Sequence, residues 1–146
     1  MALQPALIEG CPFCAIAAGG EGGHVVLEEE SVIAFLDLRP VFLGHCLVVP
    51  KEHHETLADL PDALMQPLLK AVQRVGIAVE RAMDAHGNFV GLNNRVSQSV
   101  PHVHFHVVPR RFKDGLRGFF WPRQRYESDE AMAATAASIR GALEHD

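Results

Sequence analysis

Several things are scarce in this chain. It holds three cysteines in 146 residues, too few for the disulfide framework of a small secreted domain. No apolar run approaches the ~18 residues that span a bilayer. Basic residues are the minority: 13 Lys and Arg against 18 Asp and Glu leave a net charge of −5, which speaks against an extended nucleic-acid surface. The start of the sequence has no basic region followed by an apolar stretch, so no secretory leader is expected. No internal repeat or low-complexity block stands out. These absences predict a soluble cytoplasmic protein with neither nucleic acid nor membrane as partner.

What is present suits one domain over residues 1–146. Apolar residues make up 48% and charged residues 21%, enough for a real core at this length. The most informative stretch is Pro101-His102-Val103-His104-Phe105-His106-Val107-Val108-Pro109. Its histidines alternate with β-branched and aromatic residues, the pattern of a strand whose successive side chains face opposite ways. All three imidazoles should line one face, with Val103, Phe105 and Val107 buried on the other. A lone histidine is usually an ordinary core or surface residue. Three in strict alternation are a poor way to build a core, and imidazole titrates near neutral pH, ligates metals and can act as a nucleophile. A strand rises roughly 3.3 Å per residue, so His102 and His106 root about 13 Å apart. With metal–nitrogen bonds of about 2 Å, one ion cannot serve all three, and the row must be divided among different tasks.

Around this row the sequence predicts a short helical segment at 11–18 and a glycine-rich turn at 19–23. Strands are expected at 25–27, 31–36, 45–49, 89–92 and 100–108. Residues 57–85 read as one long helix from the spacing of Leu64, Leu68, Val72, Val75, Val79 and Met83. Pro61 suits its first turn, Pro67 predicts a break or kink and Gly87 a C-terminal stop. A last helix is expected at 128–143, with Ser128 as N-cap and Asp129 and Glu130 in the first turn. The fold class is α+β, with a five-stranded antiparallel meander sheet, one long helix, a short N-terminal helix and a C-terminal helix.

The histidine run resembles the signature of the histidine-triad (HIT) family of nucleotide hydrolases and transferases. Further segments follow in that family's order: Cys11-Pro12-Phe13-Cys14, Ala34-Phe35-Leu36-Asp37, Gly44-His45-Cys46-Leu47-Val48-Val49-Pro50-Lys51-Glu52-His53, and Asn93-Asn94 with Gln98-Ser99. Together they span a core at about 11–110, leaving 111–146 as a C-terminal extension.

The resemblance implies a HIT-like fold and attack by the middle histidine, His104, on the α-phosphorus of a nucleotide. A covalent nucleotidyl-histidine then yields a nucleoside monophosphate to water. His106, Ser99 and Gln98 would supply donors to the phosphoryl oxygens and serve the leaving group, and His45 would orient the triad. Asp37 would hold the ribose hydroxyls, since a carboxylate offers two acceptor oxygens to a vicinal diol; it also fits a strand-end turn residue. Phe13, Ile16, Phe35 and Leu47 match the apolar cleft around the base, and each also fits a core. Asn93 is the choice for a polar contact to ribose or phosphate, with Asn94 next.

The Cys11/Cys14 spacing lets two thiolates grip one zinc. In a subset of the family, His53 and His102 would complete the set, which makes the ion structural; His54 remains open as the ligand in place of His53, and no catalytic metal is expected. The family also implies a homodimer joined edge to edge. The expected substrate is a small purine nucleotide, a dinucleoside polyphosphate or an adenosine phosphoramidate. The basic run Arg110, Arg111, Lys113 either meets a longer phosphate chain or is a solvated face. The cluster Phe119-Phe120-Trp121 packs in the core, against a second subunit or over the cleft. The alternative function is a nucleotide-binding, zinc-stabilised interaction protein with little catalysis.

Overall fold

The computed structural model describes residues 8–20, 23–118 and 122–144. Glu21 and Gly22 of the glycine-rich turn, and Phe119, Phe120 and Trp121 of the aromatic cluster, lie outside them. The chain forms two compact units, Met1–Asp114 and Gly115–Asp146.

The first unit holds helix α1 (Pro12–Ala17), strands β1 (Val25–Glu28), β2 (Val32–Leu36) and β3 (Cys46–Pro50), a 3₁₀ turn at Leu57–Asp59, helix α2 (Asp62–Ala82), and strands β4 (Gly87–Gly91) and β5 (Phe105–Arg110). The class is α+β, with an open five-stranded antiparallel sheet ordered β1-β2-β3-β5-β4. The meander holds through β1, β2 and β3. It then yields, because α2 carries the chain past the sheet and β5 returns to fill the place beside β3, leaving β4 at an edge. Every residue of β3 is buried, as a strand covered on both faces must be.

Register sorts the side chains. Ala34, Val48, Phe105 and Val107 face α2 and join Leu68, Ala71, Val72, Val75 and Val79 in the main core. Burial of each such Val or Leu is worth roughly 1.5–3 kcal/mol. On the other face Phe35 pairs with Leu47, and Leu47 with His106. That face packs Cys11, Phe13, Cys14, Ile33, Phe35, Leu47 and Val49 into a second cluster under α1.

The strand expected at 100–108 begins only at Phe105. Ahead of it the backbone leaves the ladder: Val103 N–H donates to His54 O (2.7 Å) and His102 N–H to Val100 O (2.8 Å). The alternation survives nonetheless, since Val103 joins the α2 core while His102 and His104 are buried on the opposite face.

The long helix differs in three ways. Its break falls before Pro61, where the 3₁₀ turn gives way to α2 with Pro61 as N-cap. The helix runs through Pro67 without interruption. In place of Gly87, Asp84 makes the left-handed stop at φ 51°. Ala85 N–H reaches Glu80 O (2.9 Å) and Asp84 N–H reaches Arg81 O (3.4 Å), the paired bonds of a Schellman cap. Gly87 instead opens β4. Gly44, at φ 98°, has no such freedom: a Cβ there would meet Met83 Cγ at 2.6 Å.

The second unit carries α3 (Asp129–Leu143), capped as expected by Ser128 Oγ, which accepts from Ala131 N–H at 3.1 Å.

Candidate functional site

The triad splits as its spacing required. His104 and His106 face one another with ring centroids 5.0 Å apart, while His102 turns toward α1.

His104 Nδ1 lies 2.7 Å from the backbone oxygen of His102. A carbonyl only accepts, so the proton sits on Nδ1 and Nε2 carries a free lone pair. This is the protonation a nucleophilic imidazole needs. Val41 N–H donates to His45 Nδ1 (3.1 Å), which puts the His45 proton on Nε2. That nitrogen is 2.9 Å from His106 Nδ1, so His106 accepts there and carries its own proton on Nε2. A backbone amide thus sets two ring tautomers in series and makes His106 Nε2–H a donor beside the nucleophile. Burial and the neighbouring His104 and His45 push His106 down to about 4. Burial also lowers His45, against the opposing pull of Asp37. Both rings are therefore neutral near pH 7, and His106 acts as a hydrogen-bond donor, not as a stored proton.

Asp37 directly follows β2 and does two things. Its Oδ1 accepts from Arg39 N–H (2.8 Å), the turn role, and its Oδ2 stands 3.5 Å from His45 Nε2. Asp37, His45 and His106 have metal-like spacing. The tautomers argue against an ion there, because His45 Nε2 is protonated and has no lone pair to give.

The apolar residues assigned to the base cleft all belong to the cluster on the triad face: Phe13, Phe35 and Leu47 are buried and Ile16 is partly so. Phe13 and Phe35 rings meet at 5.3 Å.

The loop 93–99 is stitched to the segment before α2. Asn94 Oδ1 accepts from Leu57 N–H (2.9 Å), and Gln98 Nε2 donates to Glu55 O (2.6 Å) while its Oε1 accepts from Arg95 N–H (2.8 Å). Gln98 keeps one amide hydrogen for another acceptor. Asn93 Nδ2 donates to Ser97 O (3.2 Å), which leaves its Oδ1. Arg95 and Ser97 are left-handed at φ 69° and 62°, a conformation that costs a non-glycine residue about 1 kcal/mol or more. Ser99 is exposed, and its hydroxyl has no hydrogen-bond partner among the described residues.

The second cluster gathers Cys11, Cys14, His53 and His102, with one donor atom from each and all within 4.8 Å of one another. Cys14 Sγ is 3.3 Å from His53 Nδ1, and His102 Nδ1 is 3.5 Å from Cys11 Sγ and 3.6 Å from Cys14 Sγ. Zinc held tetrahedrally by bonds of about 2.3 Å to sulfur and 2.0–2.1 Å to nitrogen would set these pairs about 3.6 Å apart. His102 Nε2–H donates to Pro50 O at 2.8 Å, which leaves Nδ1 unprotonated toward the thiols and supplies the outer bond that metal-bound histidines use. Cys11 Sγ also accepts from Cys14 N–H (3.4 Å), and Cys14 Sγ from Ile8 N–H (3.4 Å). The residues fit a metal ion. His54 faces Glu52 instead (2.7 Å), and the choice between the adjacent histidines falls to His53.

Val41 and Pro50 carry no side-chain signal as parts of the site, because both act through the backbone.

A HIT domain model matches residues 21–113. The chain belongs to the histidine-triad family. It is 30% identical to the adenosine 5′-monophosphoramidase of Saccharomyces cerevisiae over 131 residues, 89% of this chain and 81% of that protein. A HIT family protein of Bacillus subtilis superposes with a TM-score of 0.82 at 34% identity, covering 91% of this chain and 96% of the other. A zinc-bound histidine triad family protein of Mycobacterium smegmatis has a TM-score of 0.70 at 35% identity, covering 91% and 97%. Among the described residues no helix is long and apolar enough to cross a membrane.

Proposed function

We propose that this histidine-triad protein is a nucleotidyl hydrolase that releases AMP from adenosine 5′-phosphoramidates. His104 Nε2 attacks the α-phosphorus, the P–N bond breaks as the leaving nitrogen takes a proton through the Ser99 hydroxyl, and water then cleaves the nucleotidyl-histidine and gives up the proton that replaces it. The observation that carries this reading is the pair of fixed tautomers: a free lone pair on His104 beside an N–H donor on His106. The His102 carbonyl, bonded to His104 Nδ1–H, stabilises the positive charge that the ring acquires on forming the adduct. His106 Nε2–H and the free amide hydrogen of Gln98 serve the phosphoryl oxygens, a contribution worth about 10²–10³ in rate per donor. Ser99 serves the leaving group, Asp37 the ribose diol and Asn93 Oδ1 a polar group of the nucleotide. The base rests on the Phe35 and Leu47 part of the apolar cluster, with Ile16 at its margin.

The phosphoramidate is favoured over a dinucleoside polyphosphate by two observations. The yeast relative is named for that activity. Two of the three cations meant for a longer phosphate chain are engaged within the fold: Arg110 forks onto Asp114 (2.6 and 3.0 Å) and Arg111 donates to Met83 O, which leaves the exposed Lys113.

The Cys₂His₂ cluster holds structural zinc in this reading, supported by its donor set and by the zinc-bound relative. The ion would tie α1 to the segment that bears the nucleophile. None of the three cysteines pairs in a disulfide, which suits a reducing cytoplasm. The protein is a homodimer through the β4 edge, where Phe89 and Val90 are exposed, as are Leu69 and Ile77 of the helix above. In this reading the histidine-triad core is 11–110, inside the first compact unit, and 111–146 is an extension.

The test is AMP release from adenosine 5′-phosphoramidate. Wild type is expected to turn over and His104→Ala to lose activity with its circular dichroism unchanged. Equal turnover by the variant would end the mechanism, and AMP binding without turnover by wild type would favour the interaction-protein alternative.

A further inference from the structure

Phe13, which the resemblance assigns to the base cleft, also has ring contacts of another kind. It sits between the two cluster thiols, Cys11 and Cys14, on a helix of six residues. Its ring is buried and meets His102 at 5.8 Å and 74° and His104 at 5.1 Å and 80°, both edge-to-face arrangements of the kind aromatic rings favour. A second link runs through His102 itself. Its Nδ1 faces the thiols, its Nε2–H is anchored on Pro50 O, and its backbone oxygen receives His104 Nδ1–H. His53 packs edge-on against the same His102 ring at 4.9 Å.

We propose that Phe13 and His102 are positioning residues through which metal held by Cys11, Cys14, His53 and His102 locks the His104 ring in its nucleophilic orientation. This rests on the metal reading above. A helix as short as α1 has little stability of its own. Its hold on the sheet comes from Phe13, the two cysteines, the half-buried Ile16 and Ala17, and whatever closes the cluster. An ion would fix α1, α1 would press Phe13 on His104, and the same ion would fix the ring whose carbonyl sets the His104 tautomer. Without it, the edge contact and the Nδ1–H bond are both loosened. Nucleophilic attack needs near-correct geometry at the reacting atom, and a displacement of about 1 Å can cost about 10²-fold. A purely structural ion would leave the nucleophile untouched until the fold itself failed.

The experiment uses full-length protein with ¹⁵N-labelled histidine, zinc-loaded and then stripped with a chelator. Long-range ¹H–¹⁵N spectra read each ring tautomer. Zinc-loaded protein is expected to show a single Nδ1–H form for His104, and stripped protein a mixed or exchange-broadened signal. His86, which lies just before β4 and accepts from Phe112 N–H (3.1 Å), serves as the control and should not change. Steady-state kinetics supply the second readout. Zinc-loaded Phe13→Ala is expected to lose about tenfold or more in kcat with KM within about twofold and one zinc per chain retained, and Phe13→Leu to recover part of the loss. An unchanged His104 signal on stripping overturns the proposal, as does simultaneous loss of the His86 signal, which makes the metal only structural. A raised KM at unchanged kcat in Phe13→Ala also overturns it and returns Phe13 to the base cleft. The spectra need no turnover, so the proposal can be judged even if the adenylate reaction fails.

Discussion

Four imidazoles in this protein have their protons placed by what each ring touches. His102 answers to Pro50 O, His104 to His102 O, His45 to Val41 N–H, and His106 to His45. Replacing His45 with Phe keeps the ring volume but removes the donor that fixes His106. His45→Phe is expected to lower kcat by about 10²-fold with a smaller change in KM, read by initial rates of AMP release. His106 also gives a pH dependence to stability. Its ring is held at about 4 in the folded chain against an ordinary 6.5. As pH falls from about 6.5 to about 4, the unfolded chain takes up a proton that the folded chain refuses, so unfolding is favoured across that window and the effect is complete below it. Relative to His106→Asn, wild type should lose about 2 kcal/mol between pH 7 and pH 4.5, allowing for solvent screening, measured by urea unfolding. At this scale the sequence showed the histidine row and its division of labour, since both follow from alternation and reach. The tautomers were illegible, because they are written by backbone groups of Val41, Pro50 and His102 that any residue type would carry.

Among the elements, α2 is the most instructive. Its apolar spacing foretold the buried face of Leu68, Val72, Val75 and Val79. The proline and glycine signals at its ends were less informative: the helix has no break at Pro67 and no stop at Gly87. Pro67 sits in the second turn, where it removes one N–H and crowds the turn before it, yet the packed face carries the helix through. Pro67→Ala should therefore stabilise the protein, by about 1–3 kcal/mol. Gly87 looked like the stop, but Asp84 takes the left-handed position. There it bears both a Cβ penalty and an unfavourable charge at the negative end of the helix dipole. Asp84→Gly should raise stability by about 0.5–1 kcal/mol, seen as a higher urea midpoint at unchanged slope. The strand start was misplaced for a different reason. Residues 101–104 have strand composition, but Val103 N–H is claimed by His54 O outside the ladder.

For the molecule as a whole, the sheet order shows why the triad lies where it does. Insertion of β5 between β3 and β4 sets His106 opposite Leu47, next to the apolar row that continues to Phe35. The strands were legible one by one; their order was not, since it depends on where α2 returns the chain. The same order leaves β4 as an edge with Phe89 and Val90 exposed, a strand that invites pairing with a second copy. Val90→Asp is expected to convert dimer to monomer in sedimentation equilibrium, and a wild type that is already monomeric would refute the edge-to-edge assembly. The proposed chemistry turns on one nitrogen. It is tested most directly by mixing the protein with adenosine 5′-phosphoramidate, quenching within the first turnover and mapping modified peptides by mass spectrometry. The expected result is one adenylyl group on His104, absent from His104→Ala. Steady AMP release with no adduct at that ring, or with the adenylyl group on another residue, would contradict it.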